Sequence, residues 1–284
     1  MSKFVISAFG DEIADDLKVQ MDVLEQHGIS HIEMRGVNGR PLVNHTLDEV
    51  AGIRKELDKR GFSISAVGSP IGKIGITDDF TAHLELFKHT VEIAKVLGTN
   101  YIRMFSFYIP KGEEPEKYRD EVLRRWREFI KAAEGSGLIL LHENEKDIYG
   151  DTPERCLDLL KTLDCNYVKA VFDPANFVQC GVKTYPGAFE LLKDYCVYFH
   201  IKDALYKDHS VMPSGYGDGK VPEIIQQLHG GGYEGFLSLE PHLGGFSGLA
   251  ALENDLNISN LPEGGAGTFA IAANALKKIL GSLG

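Results

Sequence analysis

The sequence predicts an α/β fold, a (β/α)8 or TIM barrel that forms a single domain over residues 1–284. Eight short segments of apolar and β-branched residues recur along the chain. Their starts lie 27 to 38 residues apart, which is the length of one strand plus one helix. Helical patterns fill the intervals, with no linker and no shift in composition. Eight βα units in one unbroken run are typical of this barrel.

The predicted strands are apolar until their last residues, several of which are polar or charged. A parallel barrel strand is buried on both faces, so an apolar run with a polar end is the expected pattern. The eight segments are FVISAFG (4–10), HIEMRG (31–36), SISAVGS (63–69), YIRMFSF (101–107), LILLHEN (138–144), VKAVFDP (168–174), VYFHIKD (197–203) and GFLSLEP (235–241).

The intervals carry apolar residues at helical spacing together with helix start and stop signals. The second interval opens with Thr46, places Glu49 three residues later as a capping box, and closes at Gly61. A doubly wound sheet is the alternative arrangement, but no GxGxxG or GxxxxGK(S/T) phosphate motif follows any strand. The helical patterns span 14–28, 46–61, 78–98, 116–135, 152–163, 186–195, 221–230 and 268–280.

Two connections stand out from the rest, 109–115 after the fourth strand and 243–266 after the eighth. In a barrel both lie at the carboxyl ends of the strands, where lids over a site belong. We expect them to cover a site; the alternative is that they are ordinary surface loops.

Composition and charge exclude several classes of protein. The net charge of −11 argues against a nucleic-acid surface, which needs clustered Lys and Arg. No stretch approaches the roughly 18 apolar residues of a membrane span, and the amino terminus lacks the apolar run of a signal peptide. The four cysteines form no CxxC pair, so neither a disulfide framework nor a zinc knuckle is expected. We expect a cytoplasmic protein, and the sequence is compatible with a homo-oligomer.

Four successive strands end in residues that together suggest one site: Glu143, Asp173, His200 and Glu240. Side chains alternate across a strand, so residues two and four positions earlier share the direction of each of these side chains. Those residues are mostly apolar, such as Leu141 below Glu143, as the filled interior of a barrel requires. The alternation therefore predicts that all four side chains point into the mouth of the barrel.

Three carboxylates this close together would repel one another and be driven to protonate unless a cation offset them. Carboxylate oxygens with one imidazole suit a divalent ion: Mn2+ is the first choice, Mg2+ and Co2+ follow, and Zn2+ is a further candidate. Any one of the four residues taken alone is better explained as a helix cap or a salt-bridge partner. Their occurrence at the ends of four consecutive strands predicts one divalent metal site.

The order Glu (in HEN), Asp (in DPAN), His (in HIKD) and Glu (in LEPH) on strands five to eight resembles the xylose isomerase-like superfamily of sugar isomerases and epimerases. That superfamily includes ketose 3-epimerases, hydroxypyruvate isomerases, inosose dehydratases and the endonuclease IV type of DNA-repair enzyme. The resemblance covers essentially the whole chain, and Glu33 in HIEMRG and the segment GYGDGKVP (215–222) add to it. It implies a divalent metal held by the four strand-end residues, with Glu143 and Glu240 also serving as the catalytic acid–base pair.

Further residues are expected to contact a substrate. Asn176 stands where ketose epimerases usually have a substrate-binding His, and its amide can hydrogen-bond a hydroxyl. Lys202 either neutralises a substrate oxyanion or pairs with an acid such as Asp203. Arg103 either binds a carboxylate or phosphate or pairs with Glu33. The full set of expected substrate-binding residues is Asn176, Lys202, Arg103, Glu33 and His242.

Three other polar residues are expected to have structural roles. His142 is expected to point outward towards the helices, either supporting the site from behind or serving as a packing residue. Glu12 is expected to cap a helix rather than to enter the mouth of the barrel. Asn144 is expected only to begin the loop after the fifth strand.

These expectations together predict a divalent-metal-dependent isomerase or epimerase of a ketose or related hydroxyketone, phosphorylated or not, that works through an enediolate. The main alternative is a metal-dependent dehydratase of a keto-cyclitol or a dehydroshikimate-like acid. A non-catalytic sugar-binding barrel is a third interpretation. DNA repair is disfavoured, because the endonuclease type needs extra His ligands where this chain has Ser69, Phe105 and Asn176.

Overall fold

Eight parallel strands close into a barrel in the computed structural model, which describes residues 3–243 and 265–283. Each strand pairs with the next one along the chain and the eighth pairs with the first, so the fold predicted from the sequence is confirmed. The strands are β1 (Lys3–Phe9), β2 (His31–Met34), β3 (Ser63–Gly68), β4 (Tyr101–Met104), β5 (Ile139–Glu143), β6 (Val168–Phe172), β7 (Cys196–Ile201) and β8 (Glu234–Leu239).

Helices follow the strands and cover the outside of the barrel. The expected capping box is present, since the Thr46 hydroxyl accepts the Glu49 N–H and the Glu49 carboxylate accepts the Thr46 N–H. The sequence patterns do not predict α6, because six residues are too few to show helical periodicity. The helices are α1 (Leu17–Gln26), α2 (Leu47–Lys59), α3 (Thr81–Leu97), α4 (Arg119–Ala133), α5 (Pro153–Leu163), α6 (Pro174–Gln179), α7 (Phe189–Leu192), α8 (Val221–Gly230) and α9 (Ala266–Gly281).

Side chains inside the barrel alternate with side chains that face the helices. Leu141, Val171 and Tyr198 are buried against Ala66 in a cluster of their own, and they share a direction with the polar residues at the ends of β5, β6 and β7. Their neighbours along the strands, such as Leu140, belong to the larger core between the sheet and the helices. The predicted alternation is therefore confirmed.

The loop after β4 is tied to its neighbours at the carboxyl ends of the strands. Tyr108 forms one bridge with Gly75, in the loop after β3, and another with Ile148, in the loop after β5. The first expected lid, 109–115, therefore starts from a fixed point at the edge of the barrel mouth. Most of the second, 243–266, lies outside the described residues.

The thiols and the helices agree with the composition of the chain. All four cysteines are free thiols, and two of them are buried. Within residues 3–243 and 265–283, no helix combines the length and the apolar character needed to cross a membrane.

One carboxylate organises the connection between β7 and α8. Asp203 Oδ1 accepts the N–H groups of Gly219 and Ala204 at 2.7 and 2.9 Å, and Oδ2 accepts those of Gly215 and Gly217 at 3.0 and 3.1 Å. A side chain at Gly217 or Gly219 would collide with this carboxylate. The glycine-rich segment is therefore wrapped around a buried acceptor.

Replacing Asp203 with Asn should lower the free energy of unfolding by about 2–4 kcal/mol, because the amide nitrogen cannot accept two of these hydrogen bonds and buried donors are left unpaired. Urea unfolding of the two proteins measures the difference. Asp208→Asn is the matched control, since Asp208 is exposed and its side chain accepts from nearby Ser210. Equal losses in the two variants would contradict this account of the loop.

A tight turn after β3 brings Lys73 to the mouth of the barrel and depends on a neutral histidine. The Gly72 N–H donates to His83 Nε2 at 2.7 Å. Gly72 has a φ of +90°, and a Cβ there would collide with the backbone carbonyl of Phe105, so the turn requires glycine. Burial, together with the nearby charge of Arg125, lowers the pKa of His83 from 6.5 to about 4.

The free energy of unfolding should fall as the pH drops from about 6.5 towards 4, because His83 binds a proton more readily in the unfolded chain than in the folded protein. In His83→Gln the amide oxygen still accepts the Gly72 N–H but does not titrate, so the fall should be smaller by on the order of 2 kcal/mol. Urea unfolding across this pH range measures both proteins. The control is His209→Asn, at an exposed histidine; a His83→Gln curve parallel to that of the native protein would reject the assignment.

Candidate metal centre

Four side chains meet at the carboxyl end of the barrel, each from a different strand. Glu143 is the last residue of β5, Asp173 follows β6, His200 lies in β7 and Glu240 follows β8. One potential ligand atom from each lies within 4.8 Å of the others, and all four residues are buried. The structure thus brings together the four residues that the sequence analysis singled out.

The imidazole of His200 turns one nitrogen towards the carboxylates and the other towards Glu33. Nδ1 lies 3.0 Å from Glu143 Oε1, 3.5 Å from Glu240 Oε2 and 3.7 Å from Asp173 Oδ2. Nε2 lies 3.2 Å from Glu33 Oε2. Burial disfavours a charge on His200, but Glu143 and Glu33 outweigh burial and raise its pKa well above 6.5. Because Nε2 faces Glu33 and Nδ1 faces the three carboxylates, Nδ1 is the nitrogen that would exchange its proton for a metal ion.

Glu33, one of the expected substrate contacts, lies behind the ring of His200. Its side chain has 0% exposure and lies against the Nε2 side of His200, away from the other carboxylates. Burial raises the pKa of Glu33, but His200 and Arg103 together lower it more. A carboxylate on the outer N–H of a ligating histidine fixes the orientation and tautomer of the ring. Glu33 is thus suited to position His200.

The two oxygens of Asp173 have different partners. Oδ1 accepts the Asn176 N–H at 2.9 Å and caps α6, whereas Oδ2 faces the cluster. The Asn144 side chain donates to the Asp173 carbonyl and accepts the Asp173 N–H, both at 2.9 Å. No sequence pattern predicts this role of Asn144, which extends the pairing of β5 and β6 by one step and holds Asp173 in place.

Lys202 lies between two carboxylates. Its Nζ is 2.9 Å from Asp173 Oδ2 and 2.9 Å from Glu240 Oε2, and the side chain is only 5% exposed. Burial disfavours the ammonium, but these two acids outweigh burial and raise its pKa above 10.5. Lys202 therefore pairs with acids, which is the second of the two roles predicted for it. Its partners are Asp173 and Glu240 rather than Asp203, which accepts backbone N–H groups instead.

Arg35, which the sequence analysis missed, connects Glu240 to the loop after β1. Its guanidinium lies 3.3 Å from Glu240 Oε1, 2.7 Å from Asp11 Oδ2 and 2.7 Å from Glu12 Oε1. Glu12 was expected to cap a helix, and this was wrong, because Asp16 caps α1 and leaves Glu12 free to pair with Arg35. No local pattern predicts Arg35, since its partners lie far along the chain.

His242 lies at the rim of the cluster. Its Nε2 is 3.1 Å from Glu12 Oε1 and 3.8 Å from Glu240 Oε1, and the side chain is 40% exposed. Burial raises the pKa of Glu240, but Lys202 and His242 outweigh it and hold that pKa well below 4.5. His242 therefore stands beside a cluster carboxylate while remaining open to solvent.

Glu143 is held through one oxygen and open at the other. Oε1 accepts a hydrogen bond from Asn176 Nδ2 at 3.2 Å, and Oε2 accepts none within the part of the chain that the structure describes. Arg103 Nε lies 3.3 Å from Glu143 Oε2 and 3.7 Å from Glu33 Oε1. The predicted pairing of Arg103 with Glu33 is therefore present, but Glu143 is the nearer carboxylate.

His142 points away from the cluster, as predicted. Its Nε2 lies 3.0 Å from the Ser106 hydroxyl, and its ring packs edge-on against Trp126. Burial lowers the pKa of His142 to about 3, so the ring is neutral and serves packing.

Two adjoining pockets open at the cluster. The walls of one, of about 260 Å3, include Glu143, Glu240 and Arg103. The walls of the other, of about 400 Å3, include Asn176 and Lys202. The residues common to both are Lys73, Glu145 and His242.

The donor set fits a divalent cation. One buried oxygen of the cluster, Glu143 Oε2, accepts no hydrogen bond within residues 3–243 and 265–283, and Asp173 Oδ2 has the Lys202 ammonium beside it at 2.9 Å. Metal–ligand bonds of about 2.0–2.3 Å place opposite ligand atoms about 4–4.6 Å apart. That separation is close to the 4.8 Å span of the cluster. Three carboxylates and Nδ1 of His200 are donors that Mn2+, Mg2+, Co2+ and Zn2+ accept.

Solved structures with the same fold have low sequence identity to this chain. A D-tagatose 3-epimerase-like protein is 18% identical, with a TM-score of 0.74 over 98% of this chain and 97% of its own. The IolI protein, solved with a zinc atom, is 19% identical, with a TM-score of 0.73 over 98% and 99%. The probable 3-DHS dehydratase AsbF of Bacillus anthracis is 18% identical, with a TM-score of 0.71 over 92% and 100%. These likenesses establish the shared fold.

Sequence comparison supplies the family. No curated protein sequence matches this chain. The family model described as xylose isomerase-like TIM barrel matches residues 21–258, which is most of the chain. The match includes all four residues of the buried cluster. This chain belongs to the xylose isomerase-like TIM barrel family.

Proposed function

We propose that this protein is a divalent-metal-dependent isomerase or epimerase of a ketose or related hydroxyketone sugar. The observation that carries the proposal is the pair Glu143 and Glu240, which belong to one buried cluster and line one pocket from β5 and β8. A hydroxyketone in that pocket meets two carboxylates from different strands. Removal and return of an α-proton requires such groups.

Glu143, Asp173, His200 and Glu240 would hold the metal, with Mn2+ as the first candidate and Mg2+, Co2+ or Zn2+ as the others. When bound, such an ion stabilises negative charge on the hydroxyketone oxygens as the α-proton leaves. Glu33 holds the far side of the His200 ring, which keeps Nδ1 directed at the three carboxylates.

The side chains of Glu143 and Glu240 would remove and return the α-proton of the substrate. Glu143 is suited to remove it, because its Oε2 accepts no hydrogen bond from the described residues and the residue lines the pocket. Return of the proton to the neighbouring carbon gives isomerisation and needs only Glu143. Return from the opposite face gives epimerisation and needs Glu240, which Lys202 and Arg35 hold in place.

Other polar residues of the two pockets are proposed to bind the substrate. Lys202 places an ammonium beside the cluster, and the Asn176 amide lies against Glu143. The proposed substrate-binding residues are Asn176, Lys202, Arg103, Glu33 and His242. All of them except the fully buried Glu33 line the two pockets.

Exchange of substrate protons with solvent tests the proposal. The purified protein is incubated with Mn2+ and a panel of ketohexoses in D2O, and NMR follows the protons at C1 and C3. Spectra are recorded after Mn2+ has been removed from the finished reactions. We expect one of these signals to be lost from the reaction that contained Mn2+ and to persist in the reaction run with a chelator. Failure of both the ketohexoses and their C6 acids to exchange would reject the proposed reaction.

A metal-dependent dehydratase of a keto-cyclitol or dehydroshikimate-like acid is the second candidate, and Lys202 is the observation that favours it. In that reaction a carboxylate takes the α-proton, the bond from the β-carbon to its hydroxyl breaks, and the oxygen leaves as water after accepting a proton. The buried Lys202 ammonium, 2.9 Å from Glu240, is placed to donate that proton. An enone absorbance with such a substrate would favour dehydration, and a non-catalytic binder would show neither exchange nor absorbance.

A further inference from the structure

We propose that Arg103 forms a subsite for a carboxylate group of the substrate, an inference that rests on the reaction proposed above. The Arg103 side chain is only 4% exposed and lies in the wall of the 260 Å3 pocket, with Glu143 and Glu240. An arginine side chain carries five N–H donors. None of those of Arg103 donates a hydrogen bond within residues 3–243 and 265–283.

The guanidinium is held by contacts that leave its donors free. The Phe105 ring lies 4.6 Å from its central carbon and the Phe9 ring 5.5 Å away. Such contacts hold a guanidinium through its faces and leave the N–H groups in its plane unused. Glu143 Oε2 is 3.3 Å from Nε but accepts no hydrogen bond from it. Arg103 is therefore fixed in position while its hydrogen-bonding capacity stays unused.

Gly68 leaves room beside this group. A Cβ at Gly68 would lie 3.2 Å from Arg103 Nη2 and 3.0 Å from the Phe9 ring. Gly68 itself lines the same pocket, so the side of the guanidinium that carries Nη2 borders the space that a ligand would fill. The last residue of β3 therefore keeps this side of Arg103 clear.

The chemistry of the group points to a carboxylate. A buried cation without hydrogen bonds costs free energy, which a ligand that accepts them recovers. The planar fork of a guanidinium matches the two oxygens of a carboxylate, and such charge-assisted bonds are roughly twice as strong as neutral ones. A sugar hydroxyl offers one oxygen and no charge.

A second cation on the same wall supports this choice. Lys73 lines the 260 Å3 pocket, and its Nζ lies 4.2 Å from the Phe105 ring that also supports Arg103. Its one carboxylate partner among the described residues is Glu145, at 3.0 Å. The substrate class is therefore a hydroxyketone sugar acid whose carboxylate reaches the β4 side of the pocket while its hydroxyketone end lies at the cluster.

A matched pair of sugars tests the subsite by isothermal titration of the Mn2+-loaded protein. D-fructose and D-fructuronate differ in a hydroxymethyl against a carboxylate at C6, and D-fructose 6-phosphate serves as the phosphate arm. We expect D-fructuronate to bind at least about tenfold more tightly than D-fructose, the gain from one charge-assisted contact. Equal affinities for the acid and the neutral sugar, or tighter binding of the phosphate than of the acid, would overturn the proposal.

Variants assign the preference to Arg103. Arg103→Gln should remove the advantage of D-fructuronate over D-fructose. Arg103→Lys, which keeps the charge without the planar fork, should retain part of the advantage and serves if Arg103→Gln fails to fold. Lys55→Gln makes the same change of charge at an exposed position on α2 and should retain all of it. An advantage that survives both Arg103 variants would overturn the assignment.

Two further readouts separate this inference from the proposed reaction. Titration with Mn2+ alone shows whether an Arg103 variant has disturbed the metal site through Glu143. Proton exchange in D2O is measured on the native protein with both sugars. If the acid is preferred but no proton exchanges, the reaction is wrong and the carboxylate subsite stands. If protons exchange but the acid has no advantage, the subsite is wrong and the reaction stands.

Discussion

Glu143→Gln should lower the rate of α-proton exchange by about 10²- to 10⁴-fold at saturating Mn2+, which is the usual contribution of a general base. Gln fills nearly the same space as Glu but cannot take up a proton, so the variant removes the chemistry and keeps the packing. Glu240→Gln should lower turnover by a similar factor where the product is an epimer, because inversion needs a second proton donor. Rates are followed by NMR in D2O.

Two measurements make this prediction specific. Binding of Mn2+ to each variant is determined separately, because both residues also belong to the proposed ligand set. Glu85→Gln makes the same chemical change on the exposed face of α3, where Glu85 pairs with Lys88, and should leave the rate unchanged. Undiminished exchange in Glu143→Gln at saturating metal would remove its assignment as the base.

Lys202→Met should lower the free energy of unfolding of the metal-free protein by about 3–5 kcal/mol, the usual cost of removing one partner of a buried ion pair. The variant leaves Asp173 and Glu240 buried without the ammonium that lies 2.9 Å from each. Adding Mn2+ should recover more stability in the variant than in the native protein, because the ion supplies the missing positive charge and binds only the folded state.

Urea unfolding of both proteins, with a chelator and with Mn2+, gives the four free energies that this comparison needs. Lys146→Met is the control, since Lys146 is exposed at the edge of the 400 Å3 pocket. A loss in Lys202→Met that is the same with and without Mn2+ would show that the ion does not share the charge environment of Lys202.

Much of the barrel and the core of the site follow from two periodicities in the sequence. Strand-plus-helix spacing predicts the eight βα units, and alternation along each strand predicts which side chains point inward. A strand-end acid was expected either to cap the next helix or to join the metal site. Asp173 is placed for both, because Oδ1 caps α6 and Oδ2 faces the cluster. One residue serves both roles because a carboxylate has two oxygens.

The residues around the cluster are held by contacts between distant parts of the chain, and no local sequence pattern predicts such contacts. Arg35 reaches Glu240 across 205 positions of the chain, and Glu33 reaches His200 across 167. Such partners become neighbours only when the barrel closes, so their pairing depends on the register of the whole sheet. Asn144 was missed for a different reason, since a side chain that imitates a backbone step of the β ladder has no sequence signature.

The pairing of β8 with β1 determines when the cluster can form during synthesis of the chain. Arg35, Asp11 and Glu12 leave the ribosome early, and they meet Glu240 only after the last strand has paired with the first. A nascent chain that has not yet added β8 holds only the donors from β5, β6 and β7. The proposed ligand set is therefore complete only when β8 is in place, and we expect metal binding to require the closed barrel.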